Sequence, residues 1–175
     1  MPAQGIDIVY HSIIDKLTTD IPELLWVHKW DNQLDAIEDG KSYDIPFPNA
    51  FVEITAPTQY TPLSQGWSSG NLIVTIHVGH ILYDDQIGGF EENFGVYTYR
   101  DRVVKSLTTF QPECCGCMMK VGEKEDFSHT NMYHFMIDFN CEFLDNTGSK
   151  EVQFPTITIF PPVDIDIVPE VVINI

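Results

Sequence analysis

The sequence predicts an α+β domain in which two helices pack on one face of a mainly antiparallel sheet, followed by an extended C-terminal arm. Residues 72–83 are rich in β-branched side chains, and their even positions are apolar apart from His80, which is typical of a long central strand. Helical spacing follows at residues 91–110, and strict alternation returns at 133–143. This change from strand to helix and back to strand is typical of a helix that covers a sheet.

Shorter elements precede this unit. Residues 7–20 have the spacing of an amphipathic helix, with Asp7 as a candidate N-cap and Pro22 as the residue that stops it. Residues 24–30 and 51–55 have the composition of short strands. We therefore expect the order helix, strand, strand, long strand, helix, strand, strand. The first helix packs through a face comprising Ile6, Tyr10, Ile13, Leu17 and Ile21.

The second helix and the final strand each have one apolar face. We expect residues 115–121 to pair with 131–139 across a turn near Asp126, which places Cys117 opposite Phe135. The predicted core positions are Val96, Tyr99, Val103, Leu107 and Phe110 on the helix, and Tyr133, Phe135, Ile137, Phe139, Cys141 and Phe143 on the strand. The opposite strand face is expected to be mostly in solvent and carries His134, Met136, Asp138, Asn140 and Glu142.

Two connections are long enough to matter for function. Residues 31–44 are acidic and rich in turn-forming residues, so we expect an exposed connection. Residues 56–70 contain prolines, glycines and several Ser and Thr, and a loop of this length often has a function of its own. We expect this loop to contact a neighbouring molecule, with Trp67 as the candidate contact residue.

The composition predicts a folded, soluble chain. Hydrophobic residues make up 43% of the 175 residues and aromatic residues 12%, more than a disordered protein contains. No window offers the roughly 18 uncharged apolar residues of a membrane span, and residues 1–5 lack the features of a secretory signal. We therefore expect no membrane association, cytosolic synthesis and reduced cysteines. The length suits one domain at residues 1–150 with an arm at 151–175.

The cysteines form the pattern in this sequence that most resembles a metal-binding motif. Cys114 and Cys117 form one C-x-x-C pair, and Cys141 could supply a further sulfur to zinc. In the predicted hairpin, however, Cys141 lies about six residues from the partner of Cys117, or ~20 Å at the rise of a strand. Its place on the aromatic face is typical of a small buried hydrophobic residue. We expect no zinc at these cysteines.

The histidines form no recognised catalytic or metal-binding motif. His77 and His80 are three apart on a strand, so their side chains point to opposite faces and cannot share a metal. We expect His80 to be a hydrogen-bonded core or interface residue, and His129 to hydrogen-bond locally near a turn. No Ser-His-Asp order, phosphate-binding glycine loop or H-E-x-x-H motif is present. The sequence therefore predicts no catalytic, cofactor-binding or metal-binding residues, and no enzyme.

The order of the elements and several short runs resemble the tail terminator and tail completion proteins of tailed phages. After the helix at 7–21, the runs are PELLWV at 22–27, PNAFVEI at 48–54, VTIHVG at 74–79 and SHTNMY at 128–133. The last of them leads into the long final strand. The resemblance covers roughly residues 6–145 and ends after Asn146, where an extra extended segment follows.

The resemblance implies a structural virion protein, made in the host cytoplasm, that forms a ring in the phage neck or tail end. Six copies per ring are expected, with twelve as the other possibility. Such a ring closes the tail tube or joins it to the head connector, so tail tube and head connector proteins are the implied partners. The resemblance implies no cofactor.

A ring of this kind gives the negative charge of the chain a role. The sequence has 26 acidic and 9 basic residues and a net charge of −17, which repels phosphate backbones. DNA would then pass through the ring without being bound specifically. Outer solvated loops explain the same acidic residues equally well. The candidates for the wall of the ring are Asp31, Asp35, Glu38, Asp39, Asp84 and Asp85.

Residues 155–175 are predicted to form an extended arm that docks on another subunit. Prolines exclude a long helix there, and the alternating β-branched residues suit addition to the edge of a sheet. The alternative is that the arm wraps its own domain. The candidate docking residues are Ile157, Ile159, Ile165 and Ile167.

A function from another class is compatible with the same elements. A small enzyme or a ligand-binding α+β domain would act as a monomer or dimer and use the concave side of the sheet. The mass of the particle in solution separates this alternative from a ring.

Overall fold

The computed structural model describes residues 5–38, 44–81, 95–129 and 132–148. These residues form a mostly antiparallel sheet of six strands with helices packed on it, which confirms the predicted α+β fold. The helices are α1 (Ile6–Asp20), α2 (Gln33–Glu38) and α3 (Gly95–Leu107), with a 3-10 turn at Ser64–Gly66. The strands are β1 (Trp26–Lys29), β2 (Asn49–Thr55), β3 (Thr61–Pro62), β4 (Ser68–Ile81), β5 (Met119–Asp126) and β6 (Met132–Asp145).

The two longest strands form the middle of the sheet. The strand order is β1-β2-β4-β6-β5, with β3 paired to the start of β4. β1 runs parallel to β2, and the other pairs are antiparallel. β4 and β6 are paired without interruption from Ser68 with Asp145 to Ile81 with Met132. In the described part of the chain, β1 and β5 are therefore the two ends of the main strand order.

Both long helices pack on one face of the sheet, as predicted. Val9, Ile13 and Leu17 of α1 are fully buried there, as are Val103 and Leu107 of α3. Alternate residues of the two central strands meet them, because side chains two apart on a strand share a face. The central-strand residues of this core are Leu72, Val74, Ile76 and Val78 on β4, and Phe135, Ile137, Phe139, Cys141 and Phe143 on β6.

The opposite face of the sheet is partly covered as well, so the prediction of an exposed 31–44 connection is only partly right. Gln33–Glu38 form α2, and Leu34 is fully buried in a second cluster with Phe51 and Met132. Asp31 and Asp35 are exposed, as expected. A helix of six residues is too short for its periodicity to reveal it in an acidic segment. Partly buried residues complete the cluster: Trp30, Ile37, Ile45 and Phe47.

The ends of α1 differ in one respect from the prediction. Gly5, rather than Asp7, is the N-cap, and its φ of 69° is a conformation that glycine adopts without strain. Asp7 lies in the first turn, where a negative charge is favourable near the positive end of the helix dipole. Pro22 follows the end of the helix, as predicted. No helix in the described segments is long and apolar enough to cross a membrane.

The loop predicted at residues 56–70 is shorter than expected. β4 begins at Ser68, and β3 pairs with its first two residues. Gly70 allows this close packing, because a Cβ atom there would lie 2.7 Å from Cβ of Pro57. The strand extends further than its β-branched run, since backbone pairing with β6 continues through Ser68, Ser69 and Gly70.

The hairpin of β5 and β6 has a different register from the predicted one. Asp126 is still paired, with His134, so the chain reverses after Asp126 rather than at it. Oδ1 of Asp126 accepts a hydrogen bond from the Ser128 N–H at 3.0 Å, which starts the turn from the last position of the strand. Phe135 consequently pairs with Glu125, and the predicted pairing of Cys117 with Phe135 is wrong.

The central pair of strands should dominate stability. We expect Ile137→Ala to lower the free energy of unfolding by about 2–5 kcal/mol, because Ile137 is fully buried and the change leaves a cavity. Ile73→Ala is the matched control on the exposed face of β4, with an expected loss below about 1 kcal/mol. Urea denaturation followed by tryptophan fluorescence measures both. Equal losses for the two variants would contradict the assignment of the core face.

Candidate functional site

Three buried histidines lie together on the face of the sheet opposite the main core. His77 comes from β4, His134 from β6, and His129 from the turn between β5 and β6. Their exposed fractions are 3%, 2% and 9%. The prediction that this face of β6 is mostly in solvent is therefore wrong at His134, because Trp30 and α2 cover it.

The register of the sheet brings these histidines together. His134 pairs with Gly79 on one side and with Asp126 on the other. His77 is two residues along β4 from Gly79, which is a diagonal position that a long side chain can reach. Position 79, opposite His134, requires glycine. A Cβ atom there would lie 3.1 Å from Cδ2 of Leu34 and closer still to the side chain of Asn49. Gly79 thus leaves room for α2 to cover the histidines.

The three imidazole rings form a continuous chain of polar contacts with a carboxylate at each end. Nε2 of His77 is 2.9 Å from Oε2 of Glu53, and Nδ1 of His77 is 2.9 Å from Nε2 of His134. Nδ1 of His134 is in turn 3.2 Å from Nε2 of His129. At the far end, Oδ2 of Asp126 is 3.6 Å from Nδ1 of His134. This series of polar contacts, the histidine chain, therefore extends from Glu53 on β2 to Asp126 on β5.

Hydrogen bonding assigns the tautomers along this chain. The carboxylate of Glu53 accepts, so Nε2–H of His77 donates and Nδ1 of a neutral His77 accepts. The Nε2–H of His134 must then donate to His77, which leaves Nδ1 of His134 as an acceptor. This lone pair points toward Asp126 and His129. The end of the histidine chain at Asp126 is therefore rich in hydrogen-bond acceptor atoms.

Burial keeps the imidazoles of His77 and His134 uncharged near pH 7. Burial lowers the pKa of His77, and the hydrogen bond to Glu53 opposes that shift only in part. The pKa of His134 falls to about 4, first because of burial and then because of the neighbouring His77 and His129. Both imidazoles are therefore uncharged at neutral pH, which supports the assigned tautomers.

Trp30 and α2 form the cover over the histidines. The Trp30 ring is stacked on His77, with 3.8 Å between ring centroids and 7° between the planes. Asp35 of α2 places Oδ1 3.5 Å from Nε2 of His129, so α2 also supplies a carboxylate to this end of the chain. Asp35 is more than half exposed, and the site therefore borders solvent at α2.

The arrangement offers ligand atoms for a metal ion. Among the described residues, only Asp126, His129 and His134 bring three potential ligand atoms within 4.8 Å of one another. No hydroxyl or thiol of a described residue forms a hydrogen bond with His77 or His134. The described atoms of the cluster can share protons and ligate a metal ion.

The cysteines are arranged differently from the prediction. Cys115 is hydrogen-bonded to Cys141, and its backbone forms an isolated antiparallel β-bridge with Phe143. The predicted wide separation between Cys141 and the C-x-x-C segment is therefore wrong. The different hairpin register accounts for the change. Cys141 is buried, which confirms its predicted role as a small core residue. The hydrogen bond to Cys141 and burial raise the pKa of the Cys115 thiol, which stays protonated at neutral pH.

One of the predicted interaction residues is in the described part of the chain. Trp67 is half-buried after the 3-10 turn, and its carbonyl accepts a hydrogen bond from the Leu63 N–H at 2.8 Å. It lies in the β3–β4 hairpin rather than near the histidines. The others fall outside the described residues: Asp84, Asp85, Ile157, Ile159, Ile165 and Ile167, as do Asp39 and the predicted arm.

Sequence reasoning assigned the histidines only in part. His77 and His80 lie on opposite faces, as predicted. His80 is hydrogen-bonded, as predicted, to the Ile81 carbonyl at 2.9 Å, but it is half-buried rather than part of the core. His129 contacts neighbours close in sequence, also as predicted. What the prediction missed is that the spacing Asp126-x-x-His129-x-x-x-x-His134 brings these three side chains together. A correct hairpin register would have revealed this cluster.

No protein-family model matches this chain, and no curated protein matches it.

The buried, neutral His134 should make stability depend on pH. His134 has an ordinary pKa of 6.5 and a folded pKa of about 4, so the unfolded chain binds protons more readily below pH 6.5. The contribution to stability is complete above about pH 6.5 and decreases as the pH falls toward 4, by roughly 3 kcal/mol for this group. Urea unfolding in EDTA at several pH values measures it. His134→Gln should flatten the pH dependence, and an unchanged slope in that variant would contradict the assignment.

Proposed function

We propose that this chain is a ring-forming structural subunit of the neck or tail end of a tailed phage. It closes the tail tube or joins it to the head connector, and it resides in the virion. The proposal starts from the resemblance of the element order and of the runs at 22–27, 48–54, 74–79 and 128–133 to tail terminator and tail completion proteins. The observation that carries it is the exposure of apolar side chains at both edges of the sheet.

These two edges lie at opposite ends of the strand order. At the β1 edge, Leu25 and Trp26 are 59% and 41% exposed. At the β5 edge, Met119, Val121 and Phe127 are 55%, 58% and 82% exposed. A ring requires each subunit to contact its two neighbours through two different surfaces. Apolar edges at the two ends of one sheet suit a contact of this kind, because burying them is favourable.

The β5 edge favours contact through side chains. Its register shifts between Lys120 and Gly122, which indicates a bulge at Val121. Bulges and lysines at an edge discourage a second chain from pairing with the backbone. We therefore expect Val121 and its exposed neighbours to contact the next subunit through their side chains rather than by extending the sheet.

The charges support a ring through which DNA passes without specific binding. The net charge is −17, and the exposed Asp31 and Asp35 contribute to it. A cation that is already paired with a carboxylate has less to gain from a phosphate. At least four of the nine basic side chains form ion pairs: Lys16 with Asp20, Arg100 and Lys120 with Glu123, and Arg102 with Glu23.

A ligand-binding α+β domain is the second candidate, and the histidine cluster is the observation that favours it. Such a domain would act as a monomer or dimer and would not need apolar edges. The mass of the particle in solution therefore separates the two candidates.

The first test is the mass of the assembly. We expect light scattering to give the mass of six or twelve copies for the chain alone or after mixing with tail tube protein. Val121→Glu should shift this mass toward the monomer, because the contact would then bury a charge. A monomer under both conditions would overturn the ring.

The matched control for Val121→Glu is Ile73→Glu. It introduces the same charge at an exposed apolar residue of β4, away from both edges. We expect this variant to keep the assembly intact. An equal loss of assembly mass in both variants would contradict the edge contact but would not contradict the ring itself.

The second test concerns the predicted arm. We expect a chain truncated after Gln153 to fold, because the described core lies within residues 5–148. It should fail to assemble or to attach to tails, since main-chain bonds and alternating apolar side chains of the arm would be lost. Circular dichroism measures folding, and light scattering with a tail attachment assay measures assembly. Normal assembly and attachment would exclude the arm as an intersubunit contact.

A further inference from the structure

We propose that Asp126, His129 and His134 bind a divalent transition metal ion of the zinc type. The inference goes beyond the ring subunit and does not depend on it, because the ligand atoms belong to one chain. The three side chains meet where the turn between β5 and β6 lies beneath α2. They are the described residues whose ligand atoms converge on one point.

The spacing of these atoms suits tetrahedral coordination. Bonds of about 2.0–2.1 Å from zinc to nitrogen or oxygen separate neighbouring ligand atoms by roughly 3.3 Å. Nε2 of His129 is 3.2 Å from Nδ1 of His134. Oδ2 of Asp126 is 3.6 Å from Nδ1 of His134 and 3.9 Å from Nε2 of His129. A movement of ~0.6 Å by the partly exposed Asp126 carboxylate would complete this geometry.

The protonation pattern also suits a cation. Nδ1 of His134 carries a lone pair, and the Asp126 carboxylate adds acceptor oxygens beside it. Nε2 of His129 becomes a ligand when the proton of that ring is on Nδ1. A divalent ion would then be held by three electron-rich atoms in place of the hydrogen bond between the two rings.

The rest of the histidine chain is arranged as support for a metal ligand. A histidine that binds a metal usually donates its other N–H to a hydrogen-bond acceptor, which fixes the tautomer and the ring orientation. Nε2 of His134 has such an acceptor in Nδ1 of His77, 2.9 Å away. His77 is oriented in turn by Glu53 and by the stacked Trp30 ring. This support holds Nδ1 of His134 toward the site.

The donor set selects the class of metal. Two imidazoles and a carboxylate suit zinc and related transition metals, whereas calcium and magnesium prefer oxygen ligands alone. A fourth position remains, and Asp35 is the nearest described carboxylate on α2, with Oδ1 3.5 Å from Nε2 of His129. Ligation by Asp35 would join α2 to the β5–β6 turn and stabilise the cover over the second face.

Zinc chloride titrated into metal-free full-length chain is the direct experiment, with a chromophoric chelator as competitor. We expect one high-affinity zinc ion per chain and a higher melting temperature when it is bound. Asp126→Asn and His129→Gln should each weaken binding by at least about 100-fold, because even the loss of a supporting residue around a metal costs 10–100-fold. Circular dichroism in EDTA shows that these near-isosteric variants fold.

Two controls separate this site from other metal binding. His28→Gln removes an exposed imidazole on β1, and the double variant Cys114→Ser/Cys117→Ser removes the C-x-x-C pair. We expect both to bind zinc like the unmodified chain. Cobalt should give visible bands of a tetrahedral nitrogen and oxygen site without thiolate charge transfer. Loss of binding in the cysteine variant, a thiolate band, or equal affinity in His129→Gln would overturn the proposal.

Discussion

The uninterrupted pairing of β4 with β6 is the constraint on which the rest of the structure depends. The register aligns Leu72 with Cys141, Val74 with Phe139 and Ile76 with Ile137, so the apolar residues of both strands share one face. Burial of that face against α1 and α3 is the main favourable contribution to folding. Because the side-chain period of a strand is two, the same register places the intervening residues together on the other face. A slip by one residue would exchange the two faces.

The second face shows how polar groups are buried at a tolerable cost. An isolated buried imidazole would lose its hydration without compensation. In this protein, His77 and His134 satisfy each other, and the chain of contacts ends on carboxylates at Glu53 and Asp126. The rings of His77 and His134 remain neutral, so the cover formed by Trp30 and α2 does not bury a charge on either of them. The same features, neutral rings with defined tautomers, are what a metal ligand requires.

The exposed apolar side chains of the sheet edges and the histidine cluster are different sets of residues and follow from different physical causes. The edges are left by a sheet that does not close on itself within the described residues, and their exposed apolar side chains are available to another chain. The histidine cluster is held within one chain by strand register. A role in assembly and a bound metal are therefore compatible, because the exposed apolar side chains of the edges are not the proposed ligands Asp126, His129 and His134.

The sequence by itself determined the α+β class, the two helices on one face and the core positions of the central strands, because their periods of 3.6 and 2 are visible over long segments. It did not determine the hairpin register, since whether Asp126 ends a strand or starts a turn depends on its pairing with His134. Nor did it determine α2, which docks through the buried Leu34 and the partly buried Ile37. The tertiary structure decided both, and with them the meeting of Asp126, His129 and His134, because contacts between distant segments are set by packing rather than by local pattern.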